Sequence, residues 1–365
     1  VPANAKDPVF AIYYVLSLLL ILYAPKMHSV LRIVSLSLAF GLASASRMLG
    51  YTLIPLYLLM SVYTLILQKK ITRSSLLLLL TETLGIALVT IAVHAFQMPF
   101  VATNPAQNLL RLAQIAQSYP WQGSMLYMGE NVLSTDLPWH YLPVWILVTT
   151  PIFILVFWMI SHAFIKNRVV AFLHLTFYLH IVLFYLLNPT IYDGVRHYLF
   201  LVVLMGINAF IGWCLMFQNA AKKGRLILLA VLLLHFIIVG VQYKQLHPYE
   251  YTYFNEIIGN LKGADHKFET DYWGTSFREG AMFLNDSQLT PGTVGICGNQ
   301  AAEVYLSSSE FKTVWIPGCS SFEGVDYVLA SGRNGDWSNV PGTQVFTVSR
   351  QAVPLMRVFK IDQQE

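Results

Sequence analysis

The chain has 365 residues, of which 56% are hydrophobic and 12% are charged, with a formal net charge of +4. Soluble domains carry about 25% charged residues, so this composition excludes an ordinary soluble globule, and its hydrophobicity excludes a disordered chain. The class that remains is a polytopic membrane protein. Its small positive charge, carried by short Lys/Arg clusters between apolar runs, is typical of membrane orientation and argues against nucleic-acid binding.

Apolar runs of transmembrane length fill most of the first two thirds of the chain. A transmembrane helix needs about 20 mostly apolar residues. This length predicts about eight spans, at 8–25, 30–46, 50–68, 75–97, 141–160, 168–187, 197–218 and 225–243. The fold class that we predict is therefore an α-helical polytopic membrane domain with a small α/β domain after it.

Basic residues cluster in alternate connections between these spans. The positive-inside rule places those connections in the cytoplasm. It predicts that the N-terminal stretch, the loops 47–50, 98–140 and 188–196, and everything after 243 lie outside. We therefore expect a multi-pass protein of the cell's inner or plasma membrane with an extracytoplasmic C-terminal domain. Within the long outer loop, residues 104–117 predict an amphipathic helix at the membrane surface.

The composition changes near residues 243–247. The first 246 residues contain five acidic residues, whereas the other fourteen of the 19 lie between Glu250 and Glu365. We predict a transmembrane domain over 1–246 and an extracytoplasmic α/β domain over 247–365. Its predicted strands are 293–297, 313–317, 326–331 and 344–349, and its predicted helices are 277–285 and 301–306.

Two cysteines of this C-terminal domain, Cys297 and Cys319, are candidates for a disulfide. They would pair only in an oxidising compartment and only with a suitable distance between their Cα atoms. The sequence leaves their state open.

Three arginines lie on the predicted outer side, against the orientation bias: Arg47, Arg111 and Arg196. The planar guanidinium matches the geometry of phosphate. Either these side chains bind the phosphate of a lipid-linked substrate, or they extend to the lipid headgroups.

The densest polar cluster of the membrane part contains Tyr192, Asp193, Arg196 and His197. It is either part of a substrate site or a short loop held by an ion pair between Asp193 and Arg196. Asp136, near the outer end of the fifth span, is a second carboxylate that would bind a sugar hydroxyl. No GxGxxG, P-loop, CxxC or HExxH motif is present, so the sequence predicts no nucleotide fold and no metal centre.

Several segments, in order along nearly the whole chain, resemble bacterial family-39-like membrane glycosyltransferases. The matching segments are NAKDPVFA (4–11), ASRMLG (45–50), DLPWHYLPVWILVTTP (136–151), YDGVRHYLFL (192–201) and HPYEYTYFNEIIG (247–259) with DYWGTSFREGAMFLN (271–285). Members of this family are related to protein O-mannosyltransferases and lipid A aminoarabinose transferases, and they have the GT-C fold.

The resemblance implies an inverting enzyme that takes a sugar from a polyprenyl-phosphate carrier at the outer face of the membrane. The acceptor would be a glycan, a lipid or a protein. No cofactor is implied, although a divalent metal is compatible with the chemistry. Carried over by position, the substrate-binding residues would be Lys6, Asp7, Arg47, Asp136, Asp193, Arg196 and His197.

One departure from the family concerns the catalytic base. In these enzymes an acidic residue in the first large outer loop is thought to act as the base, and this chain opens at a segment that follows that loop. The resemblance therefore implies that the base lies upstream of Val1, in a longer enzyme.

Two other functions remain open. A transporter or flippase for a lipid-linked or anionic substrate would require discontinuous helices and polar residues near the bilayer midplane. A non-catalytic membrane anchor would carry only an outer binding domain.

Overall fold

The computed structural model describes residues 6–121, 123–307 and 310–362, without the side chains of 334–336. The chain forms two compact units. The first unit contains the described residues up to Trp121, together with Ile154–Ile191 and Val195–Leu228. The second unit contains the described residues from 123 to Phe153, Tyr192–Gly194 and those from Leu229 onward. The predicted boundary at 246–247 concerns the membrane surface and stays a prediction.

Among the described residues, seven helical segments are long and apolar enough to cross a membrane. They are Asp7–Lys26, Ser29–Ser46, Met48–Leu67, Arg73–Gln97, Arg168–Leu187, Arg196–Asn219 and Lys222–Leu246. Each lies within a few residues of a predicted span. The chain is thus a helical protein with spans of membrane length and a small sheet near its C-terminus.

The fifth predicted span, 141–160, is not one helix. Two helices occupy it, Tyr141–Thr149 and Ile152–Phe164, with a bend of 114° between them. Pro151 stands at the break, and proline has no backbone N–H to continue a helix. The predicted span is therefore interrupted here, and the helix pair is either a broken span or a re-entrant loop.

The first unit is helical throughout. Its helices are α1 (Asp7–Tyr23), α2 (Ser29–Ser46), α3 (Leu53–Leu67), α4 (Arg73–Gln97), α5 (Pro99–Thr103), α6 (Pro105–Gln117), α8 (Ile152–Ser161, from Ile154 onward), α9 (Arg168–Leu187), α10 (Leu199–Asn219) and the start of α11 (Lys222–Leu246). The predicted amphipathic helix at 104–117 is confirmed as α6. Its side chains Leu110 and Ile115 are exposed.

Helix α2 packs against α1 and α4, and α10 packs against α1 and α9. Close approach depends on small residues. A Cβ atom at Gly41 would lie 2.5 Å from the side chain of Val93, and one at Gly212 would lie 2.8 Å from that of Ser161. Small residues at such crossings are the usual means of packing helices in lipid, where the hydrophobic effect does not drive association.

The second unit is built on a five-stranded sheet of order β4-β3-β5-β7-β6. Its strands are β3 (Gly292–Cys297), β4 (Phe311–Trp315), β5 (Tyr327–Ser331), β6 (Thr343–Arg350) and β7 (Val353–Lys360). Strand β3 runs parallel to β4 and β5, whereas β7 is antiparallel to β5 and β6. Helix α13 (Phe277–Asp286) packs on β5, β6 and β7. The four predicted strands and the helix at 277–285 are confirmed, but the predicted helix at 301–306 is a 3-10 helix, Gln300–Tyr305.

A second, two-stranded sheet belongs to the same unit. Strands β1 (Ser124–Tyr127) and β2 (Glu130–Leu133) form a hairpin. The unit also contains helices α7 (Tyr141–Thr149) and α12 (Asn260–Ala264) and the part of α11 from Leu229 onward. The hairpin joins the chain that precedes α13, because Tyr127 pairs with Phe268 and the N–H of Glu269 donates to the carbonyl of Leu126 at 3.1 Å.

Cys297 and Cys319 form a disulfide in the second unit, with their Cα atoms 5.2 Å apart. Both lie in a core cluster with Val328, Ala330 and Phe359. The bond joins the end of β3 to the 3-10 turn that follows β4.

Candidate functional site

Two charged residues meet at the ends of α1 and α2. Asp7 is the first residue of α1, and only 4% of it is exposed. A carboxylate in the first turn is stabilised by the positive end of the helix dipole. Arg47 follows the last residue of α2 in an extended conformation, and its Nη2 forms an ion pair with Oδ1 of Asp7. This pair therefore links the N-terminus of α1 to the C-terminus of α2.

The start of α10 brings two more predicted residues to the same place. Arg196 and His197 lie in the 3-10 turn that leads into α10, and Nε of Arg196 is 3.3 Å from Nε2 of His197. The positive charges of Arg47, Arg196 and Lys6 all act on the His197 ring. Five of the eight predicted site residues thus form one group, which we call the basic cluster: Lys6, Asp7, Arg47, Arg196 and His197.

The electrostatics of the basic cluster favour an anion. Counting only its own side chains, three cationic groups face one carboxylate. The pKa of Lys6, which lies just before α1, is lowered by partial desolvation and then by the nearby charge of Arg47. Arg196 and His197 also stand at the N-terminus of a helix, which is itself the positive end of a dipole. A phosphate group would relieve this concentration of positive charge and match the guanidinium forks.

The other three predicted residues belong to the second unit. Asp136 is exposed, in the turn after β2, and Tyr192 is half-buried. Asp193 is buried, with φ of 58°. Within its unit, its Oδ1 accepts a hydrogen bond of 2.8 Å from Nη2 of Arg333. Asp193 is thus tied to a residue 140 positions away in the chain.

Arg333 is a residue that sequence reasoning missed. It also donates to the carbonyl of Tyr272 at 2.9 Å, and its Nε lies 3.8 Å from Oε1 of the buried Glu269. It stands in the 3-10 segment after β5, and no local motif distinguishes it from other arginines. Only the folded sheet brings it to Asp193 and Glu269.

Other ionisable groups in the helices have structural partners. The carboxylate of Glu82 accepts hydrogen bonds from Nε and Nη2 of Arg32 at 2.5 and 2.7 Å and from the hydroxyl of Tyr57 at 3.0 Å. His180 lies 3.1 Å from the Tyr14 hydroxyl and His174 lies 2.9 Å from that of Ser161. Within the described parts of the chain, no group of three or more His, Cys, Asp or Glu side chains is placed to hold a metal ion.

Comparison with protein-family models gives no match. Comparison with curated proteins gives no significant match either.

Proposed function

We propose that the chain is a membrane glycosyltransferase that moves a sugar from a polyprenyl-phosphate carrier to an acceptor at the outer face of the membrane. The observation that carries this proposal is the basic cluster. Three helix ends gather Lys6, Asp7, Arg47, Arg196 and His197 into one group of net positive charge. The segments that hold these residues are also segments in which the sequence resembles the family-39-like enzymes.

The chemistry of sugar transfer fits a cationic site. When the bond between the sugar and the carrier breaks, the polyprenyl phosphate leaves with increased negative charge. Fixed guanidinium groups stabilise that charge more in the transition state than in the ground state, an effect worth a few kcal/mol for a well-placed donor. The ion pair with Asp7 holds Arg47 in position before the substrate binds, so little reorganisation is needed.

Connectivity supports one common side for the outer segments. The non-helical segments of the second unit contact one another directly, because Tyr127 of the hairpin pairs with Phe268 and Asp193 binds Arg333. We take segments joined by such contacts to lie on one side of the membrane. The chain must then cross the membrane an even number of times between any two of these segments. Helices α10 and α11 provide two such crossings. Between the hairpin and Tyr192, α9 provides one crossing, so the proposal expects the bent pair α7–α8 to cross as one broken span.

The identity of that side is supported by two further observations. The disulfide between Cys297 and Cys319 is typical of an oxidising compartment. The basic residues of the alternate connections favour the cytoplasm for the opposite side. Both agree with an extracytoplasmic position for the five-stranded sheet.

The test is binding of undecaprenyl phosphate to the purified protein in nanodiscs, with Arg47→Ala and Arg196→Ala. Removal of a charge-assisted hydrogen bond costs about 1.5–3 kcal/mol, so each variant should bind about tenfold to a hundredfold more weakly. The matched control is Arg111→Ala, an arginine of α6 that lies over the ring of Phe100. Wild-type affinity in both cluster variants would refute the proposal. Sugar transfer from polyprenyl-phosphate donors by the same preparations then tests the reaction itself.

A second candidate, a transporter, is favoured by one observation. Transporters place their sites at discontinuous helices, and α7–α8 is such a break, with its bend of 114°. Uptake of a polyprenyl-linked or anionic substrate into vesicles, without transfer of sugar, would select this function.

A further inference from the structure

The second unit contains a cavity that the proposed function does not use. Its volume is about 290 Å³. It is lined by residues from the hairpin, from the chain before α13, from the 3-10 segment after β5 and from β7. Those that carry the argument are Asn131, Phe268, Glu269, Asp271, Arg333 and Trp337. We call it the acidic cavity.

The first carboxylate of the acidic cavity, Glu269, is buried and fixed. Only 4% of the residue is exposed. Its Oε1 accepts a hydrogen bond of 3.1 Å from the backbone N–H of Leu126 in the hairpin and lies 3.8 Å from Nε of Arg333. The side chain is therefore held in one orientation by the two elements that form the cavity wall.

The second carboxylate, Asp271, is held still more firmly. Only 6% of it is exposed. It accepts hydrogen bonds from the hydroxyls of Tyr251 and Ser276 and, at 3.2 Å, from the N–H of Thr275. Burial raises the pKa of this carboxyl to about 7, against the opposing effect of its hydrogen bonds from Ser276 and nearby backbone groups. Two rigid acceptors thus line one small cavity.

The chemistry of the wall excludes several ligand classes. The Glu269 carboxylate, and Asp271 when it is ionised, repel a phosphate or another anion. The positive charge of Arg333 in the same wall is already paired with Asp193 and Glu269. Among the described residues, no three His, Cys, Asp or Glu side chains are placed together so that they could hold a metal ion. The volume lies at the lower limit of small-molecule pockets, about 300–1,000 Å³, which is too small for a lipid chain.

The remaining class donates hydrogen bonds and has an apolar face. Carboxylates and the Asn131 amide bind hydroxyl groups, and the side chains of Phe268, Trp337 and Leu355 in the same wall suit the C–H face of a pyranose. We propose that the acidic cavity binds one sugar ring of the acceptor. That the bound saccharide is the acceptor rests on the proposed transfer function, whereas the binding of a saccharide does not depend on it.

The test measures binding alone, without donor. Saturation-transfer NMR on the full chain in nanodiscs uses methyl α-glucoside, methyl α-mannoside and N-acetylglucosamine as probes at millimolar concentration. We expect binding of at least one probe. Glu269→Gln keeps an oxygen for the Leu126 N–H but loses the charge, and Asn131→Ala removes an exposed amide, so each should weaken binding about tenfold.

The matched control is Glu279→Gln. Glu279 pairs with Arg350 in the same unit and does not line the acidic cavity, so this variant should bind the probe like wild type. Arg47→Ala should do the same. Absence of binding by all three probes, or binding that survives both Glu269→Gln and Asn131→Ala, overturns the assignment. Saccharide binding without any sugar transfer would retain the site and reject only the enzyme.

Discussion

The break between α7 and α8 depends on one fully buried side chain, Asn255, and its replacement is the sharpest test of the fold. The Nδ2 of Asn255 donates to the carbonyls of Leu147 and Thr150 at 2.6 and 2.7 Å. Its backbone N–H donates to the carbonyl of Val148 at 2.8 Å. The last carbonyls of a helix have no partner within the helix, and Pro151 offers no N–H. Asn255 therefore terminates α7 from outside.

Asn255→Ala should leave two buried carbonyl groups without a donor. A buried unsatisfied acceptor costs about 1–3 kcal/mol. With the backbone hydrogen bond to Val148 retained, we expect a loss of about 2–4 kcal/mol in the free energy of unfolding. Asn255→Asp should cost more, because it keeps the shape but turns a carboxylate toward two carbonyl oxygens.

Thermal unfolding of the detergent-solubilised protein, followed by tryptophan fluorescence, measures both variants. Asn131→Ala is the control, because that amide is exposed and should change the midpoint little. The reasoning fails if Asn255→Ala unfolds like this control, or if Asn255→Asp is the more stable of the two.

Two further outcomes follow from the second unit and from the proposed topology. The pKa of Asp271 is raised from 3.8 to about 7, so the native state holds this proton more tightly than the unfolded state does. The stabilisation from this proton is complete below pH 3.8 and is lost as the pH rises through about 7. The free energy of unfolding changes by about 4 kcal/mol at most over this range. The variant Asp271→Asn should therefore flatten the dependence of the melting temperature on pH between those limits. Single cysteines placed at the exposed positions Thr135 and Lys312 should react with a membrane-impermeant maleimide added to cells whose outer membrane alone is permeabilised. A single cysteine at Lys69 should not react. If Thr135 and Lys312 are labelled from opposite sides, the hairpin and the five-stranded sheet do not share one side of the membrane.

The spans were predictable because lipid imposes a simple rule on the sequence. Backbone groups in a bilayer must be bonded within the helix, so each crossing requires a continuous apolar run, and the predicted runs agree with the helices to within a few residues. The exception, the bend after Thr149, depends on a residue 105 positions further along the chain. Pro151 marks the position locally, but proline occurs in straight spans too, so it did not predict a break.

The sequence did not predict the pair β6–β7 or the hairpin β1–β2, for two different reasons. Strand β7 follows β6 after Gln351 and Ala352, with φ of 48° and 63°. Tight hairpin turns with positive φ normally carry Asn-Gly or Asp-Gly, and this pair gives no such indication. The strands of the hairpin β1–β2 have four residues each, too few for a period of two to stand out. Strand β7 also pairs with β5, and the hairpin also pairs with Phe268, which lies far along the chain.

The grouping of the candidate site residues was partly predictable from the order of the helices. Alternating helices bring their ends to the same surface, so Asp7, Arg47 and Arg196, each at a helix end on one predicted side, had a physical reason to meet. Asp193 follows a different rule. Its positive φ and its pair with Arg333 belong to the second unit, although only three positions of sequence separate it from Arg196.

The two candidate sites have opposite chemistry, and this makes their roles separable in one assay. The basic cluster suits a phosphate, and the acidic cavity suits hydroxyl groups, which are the groups that a donor and an acceptor present. In steady-state transfer, Arg47→Ala should change the constants for the polyprenyl-phosphate donor, whereas Glu269→Gln should raise the KM for the acceptor with little effect on the donor. If both variants alter the same constant, the assignment of a phosphate to one cluster and a saccharide to the other cavity is wrong, whatever the overall activity.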